Sequence, residues 1–247
     1  MIKGIYTSEA SMRPKMTRME VIANNLANIN STGFKKDRVF LDMLNQSASD
    51  AADGRNDLNG VVVRRAVDFT PGSLQQTGNP FDLAIEGDGF FTVETPAGMR
   101  LTRNGHFKLG TDGGLVTAEG YPVQGDNGNV VIPNADKLQQ SNISVNEAGE
   151  VVAGHDPIAC LRVVNVDRPD LLQKDHEALF VPTAGQVPVN VPHDQVHVRQ
   201  GFLEESNVEG VEEMISLIEL SRSFETDQKM IQSQDATLDR SMEVGKL

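Results

Sequence analysis

The chain has 247 residues, a formal net charge of −13, 38% hydrophobic residues, 5% aromatic residues and no tryptophan. This length allows one large domain or two ordinary ones. The acidic charge argues against nucleic-acid binding and against an anionic membrane surface, because both need clusters of Lys and Arg. The low apolar content indicates either an elongated molecule or apolar surface that is shared with partners.

The single cysteine, Cys160, excludes an intramolecular disulfide. It lies in an apolar run at residues 158–166, so we expect a buried, inert thiol. The first residues lack the apolar core of a secretory signal, and no run approaches the ~18 apolar residues of a membrane span. General rules alone therefore predict a soluble cytosolic protein, although a chain without disulfides is also compatible with export in an unfolded state.

Both ends of the chain carry apolar residues at helical spacing. Near the C-terminus a seven-residue repeat predicts a long helix with a coiled-coil seam, formed by Leu217, Phe224, Ile231 and Leu238. Near the N-terminus a 4-3-4-3 spacing predicts a matching helix, formed by Met12, Met16, Met19, Ala23 and Leu26, with Ile5 one heptad earlier. We expect the two ends to come together as helices and to display everything between them.

The N-terminal helix is predicted over residues 3–29. It either begins near Ser11 or bends at Pro14, because proline kinks a helix interior. Gly33 supplies a conformation that ends many helices. The run of residues 24–30 is rich in Asn, a poor helix former. It indicates either a solvated, frayed end or specific amide pairing by Asn24, Asn25 and Asn28.

The middle of the chain reads as β structure. Residues 34–44 are expected to form an irregular arm, and residues 47–60 a linker with too little apolar surface to order itself. From Val61 to about Gly201, turn signals every seven to ten residues predict antiparallel strands, with Asn104-Gly105 as the strongest hairpin signal. Asn207 is a plausible N-cap for the final helix.

The sequence offers no support for catalysis. His193 and His197 are four residues apart, but in a strand that spacing separates them by roughly 13 Å, too far to share one metal ion. The glycine-rich turns lack the following helix and lysine of a phosphate site, and the nucleophile elbow of α/β hydrolases is missing. We therefore expect no catalytic residue, no metal, no cofactor and no small-molecule substrate.

Two classes of function remain open from the residues alone. In one, the protein is a structural subunit that polymerises through its helical ends, with folding coupled to association. In the other, it is a secreted β-rich enzyme or binding module whose helices pack only on its own sheet. A self-contained module should have terminal helices that are stable at any concentration, whereas a polymerising subunit should have ends that are disordered in the monomer and helical in the assembly. The apolar stripes at the two ends should then be incomplete alone and find their match in other subunits.

Three ordered stretches resemble the flagellar axial family, the rod, hook and hook-associated proteins of bacteria. The first is residues 23–35 (ANNLANINSTGFK). The second is residues 77–91 (TGNPFDLAIEGDGFF), followed by TRNG at 102–105 and GYPV at 120–123. The third is GFLE at 201–204, with SNV at 206–208, EEM at 212–214 and Ile231-Gln232 further on. Pro14 departs from the family, which usually has a smooth Ala/Gly/Gln-rich helix there.

The resemblance implies a basal-body rod subunit, and the chain length and C-terminal residues favour a proximal-rod over a slightly longer distal-rod protein. Its implied partners are other copies of itself, other rod proteins and the flagellar type III export apparatus. Export would occur without a cleaved signal, and assembly in the periplasm. The implied interface consists of the seam residues of both ends together with Asn24, Asn25 and Asn28.

The predicted fold is α+β, with a discontinuous helical (coiled-coil) domain and an antiparallel all-β domain in an elongated molecule. The predicted boundaries are residues 1–35 for the first rod-core helix and 36–60 for the arm and linker. Residues 61–204 form the β-rich outer domain, with a subdomain at 138–200, and residues 205–247 form the second rod-core helix.

Overall fold

A computed structural model describes residues 2–43, 61–133, 143–154, 156–175, 178–183 and 186–244. They form two compact units. The helical unit comprises residues 2–27, 37–43, 61–66 and 209–244, and the β unit comprises residues 28–36 and the described part of 67–208. The polypeptide therefore passes between the units several times.

The helical unit contains two long helices and a pair of strands. The helices are α1 (Ile2–Ala27) and α2 (Gly210–Val244), and the strands β1 (Asp37–Met43) and β2 (Val61–Val67) form a two-stranded sheet. α1 continues through Pro14, so the alternative start near Ser11 is wrong. Proline still removes one backbone hydrogen bond from the helix at this turn.

Strand β1 corrects the expected irregular arm at residues 34–44. Asp37 and Val39 are half-buried and alternate with the exposed Arg38 and Phe40, which is the two-residue period of a strand. The linker predicted at residues 47–60 lies outside the described residues.

The described residues of the β unit form short strands and a 3-10 helix, Pro169–Leu171. Its strands are β3 (Leu74–Gln76), β4 (Leu83–Ile85), β5 (Phe90–Thr95), β6 (Gly98–Thr102), β7 (Lys108–Leu109), β8 (Leu115–Val116), β9 (Gln124–Gly125), β10 (Gly128–Asn129), β11 (Ile143–Val145), β12 (Glu150–Ala153), β13 (Asp156–Cys160), β14 (Val163–Asn165), β15 (Gln173–Lys174), β16 (Leu179–Val181), β17 (Val189–Asn190), β18 (Val198–Gln200) and β19 (Phe202–Glu204).

The largest sheet has six strands in the order β15-β16-β6-β5-β14-β17. Its neighbouring strands pair in antiparallel fashion. The strands of the three-stranded sheet β11-β12-β13 and of the pairs β3-β19 and β4-β18 are also antiparallel. Strands β14, β16 and β17 share the six-stranded sheet with β5 and β6. Much of the segment predicted as a subdomain at 138–200 is therefore built into the same sheet as the residues before it.

The six-stranded sheet has apolar clusters on both faces at β5. Phe91 and Val93 belong to the larger cluster, where Phe91 meets Phe107 edge to face with ring centroids 5.3 Å apart. Phe90 belongs to a second cluster with Leu101 and other residues. Because successive residues of a strand point to opposite faces, this one strand anchors both clusters.

Two local predictions fail because the residues concerned make tertiary contacts instead. Gly105 is not part of a two-residue hairpin; its carbonyl accepts the Leu83 N–H at 3.0 Å, and a Cβ at Gly105 would lie 1.6 Å from the Leu83 oxygen. Asn207 is not an N-cap, since α2 begins at Gly210. The Asn207 amide instead accepts the Lys36 N–H and donates to the Asp68 and Thr70 carbonyls, which joins three segments of the β unit.

Candidate subunit interface

The covered face of α2 lies within the helical unit. The C-terminal seam residues Leu217, Phe224 and Ile231 are half-buried there, whereas the side chain of Leu238 lies outside the described residues. Part of the helix pairing is polar: Lys15 Nζ on α1 donates to Asp227 Oδ2 at 2.6 Å and to Ser223 Oγ at 2.8 Å on α2. The two ends of the chain therefore pair within one molecule.

The N-terminal seam is offset from its predicted register. Met12, Met19 and Leu26 are half-buried, but Ala23 is exposed and Met16 is 51% exposed. Lys15, Val21 and Ile22 are covered within the chain instead. The positions that are covered within the single chain therefore follow a register other than the predicted one, which the sequence hides because Lys15 reads as a surface residue. The side chain of Ile5 lies outside the described residues.

The three asparagines of the N-terminal run have different surroundings. Asn25 is 1% exposed, and its amide donates to the Asp37 carbonyl at 3.0 Å and accepts the Asp37 N–H at 2.9 Å. Asn28 Oδ1 accepts the Ser31 hydroxyl at 3.2 Å, whereas Asn24 is exposed. Asn25 thus fastens α1 to the start of β1 in its own chain.

An apolar strip remains uncovered on α2, and we call Val211, Met214, Ile215 and Ile218 the α2 stripe. Its members are between 50% and 72% exposed. At 3.6 residues per turn they span about 100° of the helix circumference, the width of a core-facing surface, and the centre of the stripe lies about 110–130° around the helix from Leu217 and Phe224. Such a surface is suited to packing against another protein.

A groove of about 240 Å³ lies near the start of α2 in the same unit. Its lining includes Val21, Ile22 and Asn25 of α1, Phe40 of β1 and Glu213 of α2. Phe40 is itself 50% exposed. The groove adds a concave surface to the apolar surface that the helical unit offers.

A second site in the β unit is a buried ionic junction formed by Lys35, Arg103 and Glu204. Lys35 Nζ donates to Glu204 Oε1 at 2.5 Å and to the Thr70 carbonyl at 2.8 Å. Arg103 reaches Glu204 Oε2 at 3.5 Å and donates to the Gly87 carbonyl at 2.7 Å. Burial lowers the pKa of Lys35 and of Arg103, and Glu204 opposes both shifts. One carboxylate thus holds two buried cations.

The backbone is also closely packed around this junction. The Gly33 N–H donates to the Glu204 carbonyl at 2.7 Å. Gly33 has a φ of 67°, and a Cβ there would lie 2.4 Å from the Asn104 backbone nitrogen. Both the left-handed conformation and the close approach require glycine.

The geometry defines an α+β protein with a closed β unit and a discontinuous helical unit that presents an apolar surface. Family models match three parts of such a chain: residues 5–35 match the flagella basal body rod protein, residues 84–153 the flagellar hook protein FlgE/F/G D1 domain, and residues 199–244 the flagellar basal body rod FlgEFG protein C-terminal.

Full-length relatives give the same family. A flagellar basal-body rod protein FlgF from Caulobacter vibrioides is 33% identical, over 98% of this chain and 96% of that protein. FlgG from Bacillus subtilis is 31% identical, over 96% and 97%, and FlgF from Salmonella typhimurium is 30% identical, over 94% of each. The chain belongs to the flagellar basal-body rod protein family and is most like FlgF. It is a structural rod subunit and not an enzyme. No described helix is long and apolar enough to cross a membrane.

The junction was missed by reasoning from the sequence, although a signal was present. Lys35, Arg103 and Glu204 each lie in one of the three stretches that resemble the axial family. Charged residues inside such stretches read as surface residues when each stretch is considered alone. Their pairing appears only once β4, β6 and β19 and the segment after α1 are brought together.

Proposed function

We propose that this chain is a proximal-rod subunit that polymerises through its terminal helices into a tubular drive shaft, which transmits torque from motor to hook. In this proposal the paired helices form the coiled-coil wall of the rod, and the β unit sets the spacing of subunits. The partners are other copies of this chain and other rod proteins. The interface includes exposed residues of the predicted seam, such as Met16 and Ala23.

The observation that carries the proposal is the α2 stripe. One face of α2 is occupied within the chain, whereas another face presents Val211, Met214, Ile215 and Ile218 to solvent. Burying such side chains against a neighbouring subunit would contribute roughly 25 cal/mol per Å² of apolar surface. A self-contained binding module would gain nothing from this surface.

The proximal assignment is supported by alignment length. The alignments with three FlgF relatives extend over 242 to 246 residues, whereas those with three FlgG relatives extend over 258 to 262, more than the 247 residues of this chain. The FlgG relatives therefore contain residues that have no counterpart here. A distal-rod role is the alternative that this observation disfavours.

The route of assembly rests on the resemblance. We infer export of the unfolded chain by the flagellar type III apparatus, without a cleaved signal, and assembly in the periplasm. The single cysteine is compatible with this route. A chain with one cysteine cannot form an intramolecular disulfide when it folds in an oxidising compartment such as the periplasm.

A charge placed in the α2 stripe tests the polymerisation. We expect Ile215→Asp to abolish swimming and the recovery of the subunit in purified basal bodies, because the carboxylate would be buried unpaired at the interface. The monomer should keep its far-ultraviolet circular dichroism, since Ile215 is exposed there. The matched control is Gln228→Asp, which adds the same charge to the same helix at an exposed position outside the stripe.

Complementation separates the proximal from the distal role. The chain should restore motility to a strain that lacks its own FlgF and not to one that lacks FlgG. Rescue of the FlgG strain alone would make the protein a distal-rod subunit. Normal motility of the Ile215→Asp variant would show that the α2 stripe is not part of the subunit interface.

A further inference from the structure

Three potential metal ligands from distant parts of the sequence meet on the β unit. Asp126 lies in the turn between β9 and β10, Cys160 ends β13, and His193 follows Pro192. Cys160 Sγ is 3.3 Å from His193 Nδ1, and His193 Nε2 is 2.9 Å from Asp126 Oδ2. The backbone fixes two of the three, since the Asp126 N–H donates to the Cys160 carbonyl at 3.0 Å.

This cluster corrects two expectations from the sequence. Cys160 is half-buried and in contact with a histidine, so it is not the isolated, buried thiol that its apolar run predicted. His193 was weighed as a metal ligand only together with His197, whereas its neighbours in the structure are Cys160 and Asp126. No spacing rule could have found the group, because its members are 33 or more residues apart.

The ligand atoms converge on one side of the imidazole. One atom from each residue, the thiol sulfur, a ring nitrogen and a carboxylate oxygen, lies within 4.8 Å of the other two. Cys160 Sγ and the Asp126 carboxylate oxygen contact different nitrogens of the His193 ring. If each lay in line with its own ring nitrogen, these two atoms would be much further apart. The three ligand atoms are therefore close enough together to bind one small cation.

We propose that Asp126, Cys160 and His193 form a Zn²⁺-binding site. Zinc takes thiolate sulfur at about 2.3 Å and imidazole nitrogen or carboxylate oxygen at about 2.0–2.2 Å, which places tetrahedral ligand atoms about 3.3–3.6 Å apart. In the structure Cys160 Sγ contacts Nδ1 of His193 and Asp126 Oδ2 contacts Nε2, at 3.3 Å and 2.9 Å. One Zn²⁺ takes only one ring nitrogen, so binding requires the His193 ring to turn until the sulfur and the carboxylate oxygen face the same nitrogen. His193 and Asp126 are both exposed, which leaves their side chains room to turn.

The surroundings supply negative charge for a cation. Glu150 is the direct partner of Cys160 in the β12–β13 pair, so their side chains share one face of that sheet. A water molecule or the Glu150 carboxylate would complete the tetrahedron. The metal would join the β9–β10 turn, the end of β13 and the segment at residue 193, and so brace this part of the β unit.

The same three residue types also form the nucleophilic arrangement Cys-His-Asp, and the environment of the thiol disfavours that alternative. Burial raises the pKa of Cys160, and the Asp126 and Glu150 carboxylates raise it further, because each disfavours the thiolate. A catalytic cysteine needs the opposite shift. A bound cation offsets the repulsion from both carboxylates, whereas a nucleophile would have to work against it.

Cobalt titration of the full-length monomer under reducing conditions tests the site. We expect one Co²⁺ per chain, with a thiolate-to-cobalt charge-transfer band in the near ultraviolet, and displacement of Co²⁺ by one equivalent of Zn²⁺. Cys160→Ser should abolish the band. Cys160→Ser, His193→Ala and Asp126→Asn should each weaken Zn²⁺ binding by at least the ~10–100-fold typical of the loss of an outer-shell partner.

The matched control is Asp194→Asn, which removes a carboxylate from an exposed residue next to His193. It should leave the band and the Zn²⁺ affinity unchanged, and circular dichroism should show that every variant is folded. Absence of a charge-transfer band in the unmodified chain would overturn the proposal. So would Zn²⁺ binding that survives both Cys160→Ser and His193→Ala, since exposed carboxylates would then be the ligands.

Discussion

The two units differ in how completely each covers its own apolar surface. In the β unit, clusters on both faces of the central sheet bury Phe90, Phe91 and Phe180 to 3% exposure or less. In the helical unit, among residues with described side chains, Val21 and Ile22 are the fully buried hydrophobics, whereas the α2 stripe lies open. The β unit has a large buried core of its own, although Val187 and Val189 stay 79% and 59% exposed, whereas the helical unit has few fully buried apolar residues beside its exposed stripe.

The stability of the β unit depends on the ionic junction, and Glu204→Ala should disrupt this junction and lower the free energy of unfolding. Removal of the carboxylate leaves Lys35 and Arg103 buried without a counter-charge, and breaking a buried ion pair in this way costs about 3–5 kcal/mol. The variant also loses the bond from the Gly72 N–H to Glu204 Oε1. Urea unfolding with hydrogen exchange on segments 83–109 and 198–204 would measure the loss.

Two further variants sharpen this prediction. Glu205→Ala, at the next residue and only partly buried, should cost far less. Lys35→Met combined with Glu204→Ala should recover part of the lost free energy of unfolding, because it removes one of the two uncompensated cations. If Glu204→Ala unfolds at the same urea concentration as the unmodified chain, the junction does not stabilise the β unit.

The covered face of α2 and the extent of the β region could be predicted from the sequence, because both depend on the spacing of residues along the chain. The heptad spacing of Leu217, Phe224 and Ile231 correctly placed the covered face of α2, and regular turn signals identified the β region. Periodicity cannot choose between two registers that share Met12, Met19 and Leu26. It also cannot show that the Asn207 amide bonds to Lys36, or that Asn104 Oδ1 accepts the Thr32 hydroxyl at 2.8 Å, since tertiary partners decide where such amides are used.

A buried contact of the helical unit joins the Asn25 side chain to the Asp37 backbone, and Asn25→Ala should remove it. The substitution leaves the backbone N–H and carbonyl of Asp37 without their side-chain partner, at a cost of about 1–3 kcal/mol. Hydrogen exchange at residues 37–40 of the monomer would report the loss. Asn24→Ala, at an exposed neighbouring position, is the control. Equal effects of the two variants would show that Asn25 has no special role in the unit.

The smallest effect is expected from the ion pair that joins α1 to α2. The Lys15 and Asp227 side chains are 26% and 17% exposed, so water and salt screen their attraction. A double-mutant cycle with Lys15→Met and Asp227→Asn should give a coupling free energy of about 0.5–1 kcal/mol that declines between 0.05 and 0.5 M salt, as for other accessible pairs. Arg18→Met, on the exposed side of α1, controls for the loss of a cation.

A weak coupling would mean that this ion pair adds little to the pairing of α1 and α2, which then depends on half-buried apolar residues such as Leu217 and Phe224. The packing of neighbouring subunits on the α2 stripe would add to the stability of the helical unit. A salt-independent coupling well above this range would instead show that the ion pair holds the two helices firmly together. The helical unit would then differ less from the β unit, and the exposed α2 stripe would be the remaining support for polymerisation.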